Sequence, residues 1–223
     1  ARARCEANNA EGPVVLRVNP WVTDTAALAE KLAASGVETE PGRVDPDSLW
    51  IKPKGGGGQP SFTKTAAFTG GAFIVQDESS SLAGRFAGAG PGHRVLDACA
   101  APGGKVAVMG WMAGKRGAVT AADNSRARLK RLKINCARIA LPVRVVVMDA
   151  VNPAFGEAFD SVLVDAPCSG IGVLRRHPDA RWRIQEKDLA LHRAAQRKIL
   201  AGAARTVRPG GWLTYSVCTN EPE

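Results

Sequence analysis

Cys168 and Cys218 stand fifty residues apart, each in a short motif that follows an apolar run of strand type. Cys168 lies in Asp165-Ala166-Pro167-Cys168-Ser169-Gly170, behind Ser161-Val162-Leu163-Val164. Cys218 lies in Ser216-Val217-Cys218-Thr219, behind Gly211-Trp212-Leu213-Thr214-Tyr215. A thiolate is a strong nucleophile, and a second thiol beside it can move protons, so the pair suits covalent attack on an electrophilic ring. Residue types alone do not say which thiol attacks. Upstream, Arg94-Val95-Leu96 leads into Asp97-Ala98-Cys99-Ala100-Ala101-Pro102-Gly103-Gly104-Lys105. There Gly103 and Gly104 let backbone approach a nucleotide without side-chain clash, and the next helix turns its positive end toward it. Asp123 ends the following strand, nineteen residues beyond Gly104, and suits ribose hydroxyls; Asp149 ends the one after and suits the base. Singly, Asp123 reads equally as a helix-capping acid near Ser125, and Asp97 as a loop staple. The ordered series favours an adenosine-type ligand. Hydride chemistry with NAD is disfavoured, because Gly-x-Gly-x-x-Gly is absent.

The elements that must hold these motifs follow from periodicity and breakers. Residues 1–65 read as a small α+β unit: a strand at 13–19, a helix capped by Thr23-Asp24 and running to Ala34, and a strand at 48–52. Lys54 to Pro60 reads as a glycine-rich loop; no Gly-Lys-Ser/Thr follows, so it is no phosphate loop. Residues 66–223 alternate strands and helices. A helix opens at Gln76-Asp77-Glu78 and runs to Ala87. Strands follow at 93–97, 117–122, 143–148, 160–165 and 211–215, and helices at 103–113, 125–138 and 186–206. Such alternation makes an α/β fold, a doubly wound, mostly parallel sheet with helices on both faces. The three motifs then share its carboxyl edge, where open α/β sheets bind ligands.

Thirty Lys and Arg against twenty-one Asp and Glu give a net charge of +9, which favours a polyanionic partner. Seven basic residues and no acid lie from Arg126 to Arg144, as a solvated helix face or an RNA contact. A second cluster, Arg175, Arg176, His177, Arg181 and Arg183, follows the Cys168 motif and suits RNA or phosphate. Trp182 within it is placed either to stack or to pack. Arg17, Lys52, Lys54 and Lys64 of the small unit are expected to grip RNA. Five cysteines without a Cys-x-x-Cys pair argue against a disulfide framework or a zinc ribbon, and for a reducing cytoplasm. No metal, no membrane span and a monomer are expected.

The three motifs together resemble the Sun/Nop family of RNA cytosine-5 methyltransferases, which use S-adenosylmethionine. Gln76-Asp77-Glu78-Ser79-Ser80, Asp123-Asn124-Ser125 with Arg128, Leu129 and Asn135, and Arg175-Arg176-His177-Pro178-Asp179 with Trp182 add to the likeness. The last stretch looks most like the family's bacterial branch that acts on ribosomal small-subunit RNA, the Sun type. Val106 stands where the family usually has Thr, and Val217 and Thr219 flank the cysteine usually set in Thr-Cys-Ser. The chain starts at Ala1 and stops at Glu223, where the family continues into a closing strand pair, so a piece of a longer protein is expected.

The resemblance implies a Rossmann-like S-adenosylmethionine-dependent methyltransferase fold. It implies Cys218 as nucleophile at carbon 6 of cytosine, Cys168 in product release, and Asp165 at the cytosine edge. The cofactor set it carries over is Ala98, Cys99, Ala100, Ala101, Pro102, Gly103, Gly104, Lys105, Asp123, Arg128, Asp149 and Asp165. Arg175, Arg176, His177, Arg181 and Lys105 would meet RNA, ribosomal RNA first. Transfer RNA as acceptor, a non-catalytic RNA-binding or ribosome-assembly module, and a small-molecule methyltransferase are the alternatives.

Overall fold

The computed structural model describes residues 2–53 and 61–223; the loop read over 54–60, Lys54 included, lies outside them. After α1 (Arg2–Asn9), the small unit builds an antiparallel sheet from β1 (Val15–Val18), β2 (Thr39–Pro41), β3 (Ser48–Ile51) and β4 (Phe73–Val75), in the order β2-β3-β1-β4. Helix α2 (Thr25–Ala34) starts where the Asp24 carboxylate accepts the Ala27 N–H at 2.8 Å. It buries Leu28 and Leu32 against Leu16, Leu49 and Phe73, and short α3 (Ala66–Thr69) follows. The small sheet takes its fourth strand from beyond residue 65. Phe73-Ile74-Val75 pairs with β1 and belongs to the small sheet; three residues carry no periodicity that would announce a strand.

The larger unit comprises α4 (Glu78–Phe86), β5 (Arg94–Asp97), α5 (Gly104–Ala113), β6 (Ala118–Asp123), α6 (Arg126–Arg138), β7 (Arg144–Val147), β8 (Phe159–Asp165), α7 (Ala180–Arg183), α8 (Glu186–Ala204) and β9 (Val207–Ser216). Its five strands run parallel in the order β7-β6-β5-β8-β9, a Rossmann-like methyltransferase fold. Side chains alternate across the sheet. Val95, Ala121 and Leu163 join the core under α5 and α6, whereas Leu96, Ala122, Val162 and Val164 join the core under α8. Strand order reverses beside β5, which opens a crevice at the carboxyl ends of β5 and β8. Strand β9 begins earlier than expected. Val207 already pairs with Phe159, and Pro209-Gly210-Gly211 bulges out before Trp212 resumes the ladder opposite Ser161. No helix among the described residues is long and apolar enough to cross a membrane.

Helix α4 locks the two units together. Glu78 accepts the N–H groups of Val44 and Asp45 at 2.9 Å each, the Ser48 hydroxyl at 3.0 Å and the Trp50 indole at 2.9 Å. One turn on Ser81, and two turns on Arg85, reach Asp45. Gly84 lets α4 lie so close to α5 that a Cβ there would sit 2.9 Å from Val108.

Candidate active site

Strand register brings the thiols together. In the parallel pairing of β8 with β9, Asp165 lies opposite Ser216, so the loops carrying Cys168 and Cys218 leave the sheet side by side. Their sulfurs are 3.3 Å apart, both as free thiols. Gly172, in the 3-10 turn Ile171–Val173, donates its N–H to the Cys218 carbonyl at 3.0 Å; a Cβ there would meet that oxygen at 2.8 Å. From α8, buried Gln196 donates to the Pro167 carbonyl at 3.0 Å and accepts the Tyr215 hydroxyl at 2.9 Å, tying both loops to one helix. Neither Ser216 nor Gln196 was singled out from sequence. Parallel pairing of the two motif strands was the signal for Ser216; nothing local pointed to Gln196.

The contact splits the two thiols. The sulfur–sulfur contact, with the Gly170 and Cys218 backbone N–H groups, brings Cys168 down to about 7 despite burial. The same contact, then burial and the nearby Asp165, push Cys218 up. Asp165 is held from two sides: Ser216 donates to one oxygen at 2.7 Å, and the Lys105 ammonium lies 2.8 Å from the other.

Lys105 is the second residue of α5, at the end of the motif expected to hold a nucleotide. Loop 97–104 is strapped to its neighbours: Ala98 donates to the Leu163 carbonyl and Ala100 to that of Ala122, both at 2.9 Å. The Cys99 N–H reaches Asp97 at 3.2 Å, and the Ala101 N–H reaches Asp123 at 3.3 Å. Gly103 caps α5 at φ +109°, which a residue with a Cβ rarely adopts. Burial, then the charge of Asp165, raises the Asp97 carboxyl to about 7. Burial likewise pushes Cys99 up to about 12, which makes it a packing thiol.

A cleft of about 800 Å³ joins these parts. It is lined by Asp97, Cys99 to Lys105, Asp165 and Cys218, and on its other wall by Gln76, Arg176 and His177. A glycine cradle, a helix amino terminus and a buried carboxylate at a strand end fit an adenosine-type cofactor carrying a cationic group.

Several expected residues stand elsewhere. Ala98 packs into the core beneath the loop. The Asp123 carboxylate holds Ser125 N–H at 2.8 Å, Ala101 N–H at 3.3 Å and the Arg128 guanidinium at 2.9 Å, and so ties the cofactor loop to the start of α6. Asp149 is exposed and accepts the Val151 N–H at 2.9 Å. Arg176, expected on RNA, instead clamps Asp77 and the Pro13 carbonyl, because the loop after Cys168 crosses to the small unit. Arg181 reaches the Asn8 carbonyl at 2.8 Å, while Arg175 and His177 are exposed. In the small unit, Arg17 is buried with Asp45 and Asp47 and cannot grip RNA; Lys52 and Lys64 are exposed.

The 16S rRNA methyltransferase RsmB/F family model matches residues 89–223. The chain belongs to the RsmB/F family. A companion model, the ferredoxin-like domain of RsmF/B-like methyltransferases, matches residues 1–55. This RsmB/F chain is 36% identical over 221 residues to ribosomal RNA small subunit methyltransferase B of Vibrio cholerae, covering 98% of the chain and 50% of that relative. It is 39% identical over 208 residues to the probable ribosomal RNA small subunit methyltransferase B of Bacillus subtilis, covering 92% of the chain and 45% of that relative. The chain thus spans about half the length of the curated relatives it matches. In fold, the RsmB/F chain follows NSun6 from Pyrococcus horikoshii, solved with SFG: TM-score 0.85 over 98% of this chain and 79% of that one, at 21% identity.

Proposed function

We propose that the chain transfers a methyl group from S-adenosylmethionine to carbon 5 of an RNA cytosine, in ribosomal small-subunit RNA, through a Cys218 adduct at carbon 6. The observation that carries this reading is the pair of sulfurs 3.3 Å apart beside a Lys105–Asp165 pair and a glycine cradle. Carbon 5 of cytosine is a poor nucleophile. Cys168 takes the Cys218 proton and sheds it to solvent, and addition of the resulting Cys218 thiolate to carbon 6 leaves the ring electron-rich at carbon 5. The cofactor, when bound, supplies an electrophilic methyl group. Carbon 5 then sheds its proton, the carbon–sulfur bond breaks, and the electron pair returns to sulfur as the ring regains its double bond.

Each group of the chain has a part in that sequence. Cys168, with a thiol that ionises near neutral pH, accepts and returns protons while Cys218 is bonded to the ring. Asp165, oriented by Ser216 and Lys105, meets ring nitrogen 3 and the exocyclic amine. Gly103 and Gly104, with the first turn of α5 and Asp97, hold the cofactor. The small unit braces the cleft through Arg176 and α4 and helps seat the RNA. The target must be unpaired or flipped out, at a cost of a few kcal/mol.

A denaturing gel of Cys168→Ala mixed with ribosomal RNA and S-adenosylmethionine tests the reading. A shifted protein band is expected, and it disappears when Cys218 is also changed to Ala. Full methyl transfer by Cys218→Ala would sink the mechanism; methylation of transfer RNA in preference to ribosomal RNA would move the substrate.

A further inference from the structure

We propose that Trp182 is a stacking platform for an unpaired base flanking the target nucleotide, with the surrounding cations holding its phosphates; this rests on RNA being the substrate. Trp182 is 87% exposed, more than any other large hydrophobic side chain among the described residues. The other four indoles are accounted for. Trp111 and Trp21 join the core, Trp50 donates to Glu78, and Trp212 donates to the Phe86 carbonyl at 3.1 Å and lies on Gly88. The Trp182 indole has no hydrogen bond or ring partner among the described residues; only its backbone N–H is engaged, on the Asp179 carbonyl at 3.1 Å.

Helix α7 does not need the indole to fold. Buried Ala180 seats it, its ends are tied by Ala180 N–H to His177 at 3.1 Å and Ile184 N–H to Ala180 at 3.1 Å, and Arg181 anchors it to Asn8. A large apolar ring held bare in water calls for a ligand in a way that scattered exposed aliphatics do not.

Charge narrows the class of ligand. Arg175, His177, Arg181 and Arg183 surround the indole in sequence, and Asp179, paired with Arg183 at 2.8 Å, is the one acid between Arg175 and Arg183. A cationic rim around a π-face is complementary to a nucleotide, whose base stacks while its phosphate takes the arginines. Position ties the patch to the chemistry. The segment leaves the thiols at Gly170, touches Cys218 through Gly172, lines the cleft at His177 and then presents Trp182. A strand whose target base enters the cleft therefore runs past the indole.

Fluorescence anisotropy of the 223-residue chain with a short labelled single-stranded RNA tests this, using Trp182→Ala, Trp182→Phe and Arg175→Ala. Trp182→Ala is expected to weaken binding about tenfold with an unchanged slope of log K against log salt, since no charge is lost. Trp182→Phe is expected to recover most of the affinity. Arg175→Ala is expected to reduce the slope by about 1. An unchanged thermal midpoint in Trp182→Ala assigns the loss to the contact; should Ala unfold the chain, the Phe and Arg175 variants still decide. Wild-type affinity in Trp182→Ala overturns the platform and leaves RNA binding standing. A wild-type chain that binds no RNA overturns both. Self-association that Trp182→Ala abolishes, at unaltered RNA affinity, would assign the indole to a second copy of the chain and overturn the platform.

Discussion

The thiols are separable by reactivity because their surroundings differ. Cys168 is brought down to about 7 by the Cys218 thiol and two backbone N–H groups against it, whereas burial pushes Cys136 up to about 11 and Cys99 to about 12. Alkylation by iodoacetamide, followed by peptide mass spectrometry, is expected to rise through about pH 7 at Cys168 and to leave Cys99 and Cys136 unmodified there. In Cys218→Ala the strongest donor is gone, and the Cys168 midpoint should climb by about one pH unit or more, toward an ordinary thiol. A midpoint that stays put would show that the backbone donors alone hold the charge. The sequence marked both cysteines, Asp165 and Lys105 as site residues. It is silent on the contact between the two sulfurs, which exists only because two loops meet.

At the scale of elements, α4 carries a cluster of contacts that join the two units. Burial pushes the Glu78 carboxyl up, but donors from Asp45, Val44, Trp50 and Ser48 outweigh it and bring it down to about 2 from an ordinary 4.5. An acid depressed in the folded state contributes stability above its unfolded value and loses it as pH falls through its folded value. Urea denaturation should therefore show the wild type weakening between about pH 4.5 and pH 2, and Glu78→Gln weaker by about 3 kcal/mol at pH 7 but flatter across that window. Equal midpoints at pH 7 would show that water replaces the carboxylate's role. Most elements were legible because each had periodicity and a cap, as in α2 with Asp24 and α6 with Ser125. Those missed were the eight-residue α1 and the short β2, α3, β4 and α7, three or four residues each, which tertiary contacts stabilise and local sequence does not.

Over the whole molecule, the net charge of +9 is spread on faces that the fold sorts. Helix α6 buries Leu129, Leu132 and Cys136 and turns Arg126, Lys130, Arg131 and Lys133 to solvent, while Arg138 leaves that face to hold the Phe68 and Phe73 carbonyls at 2.8 and 3.0 Å. If the exposed face tracks RNA, replacing Lys130, Arg131 and Lys133 together by Ala should lower the salt slope of RNA binding by about 2. An unchanged slope in the same titration would mark it as a solvated helix face.

The sequence by itself determined the parallel α/β frame, the family and the two thiol motifs, because strand runs, glycine breakers and short motifs are properties of neighbours along the chain. Tertiary structure alone decided which charges are free to act. Arg17 and Arg176 have the same side chain as Arg175, yet two are consumed inside the protein and one faces water. The β8–β9 register likewise decided that sulfurs fifty positions apart in sequence lie 3.3 Å from each other. Partners distant in sequence make those assignments, and no local pattern encodes a partner.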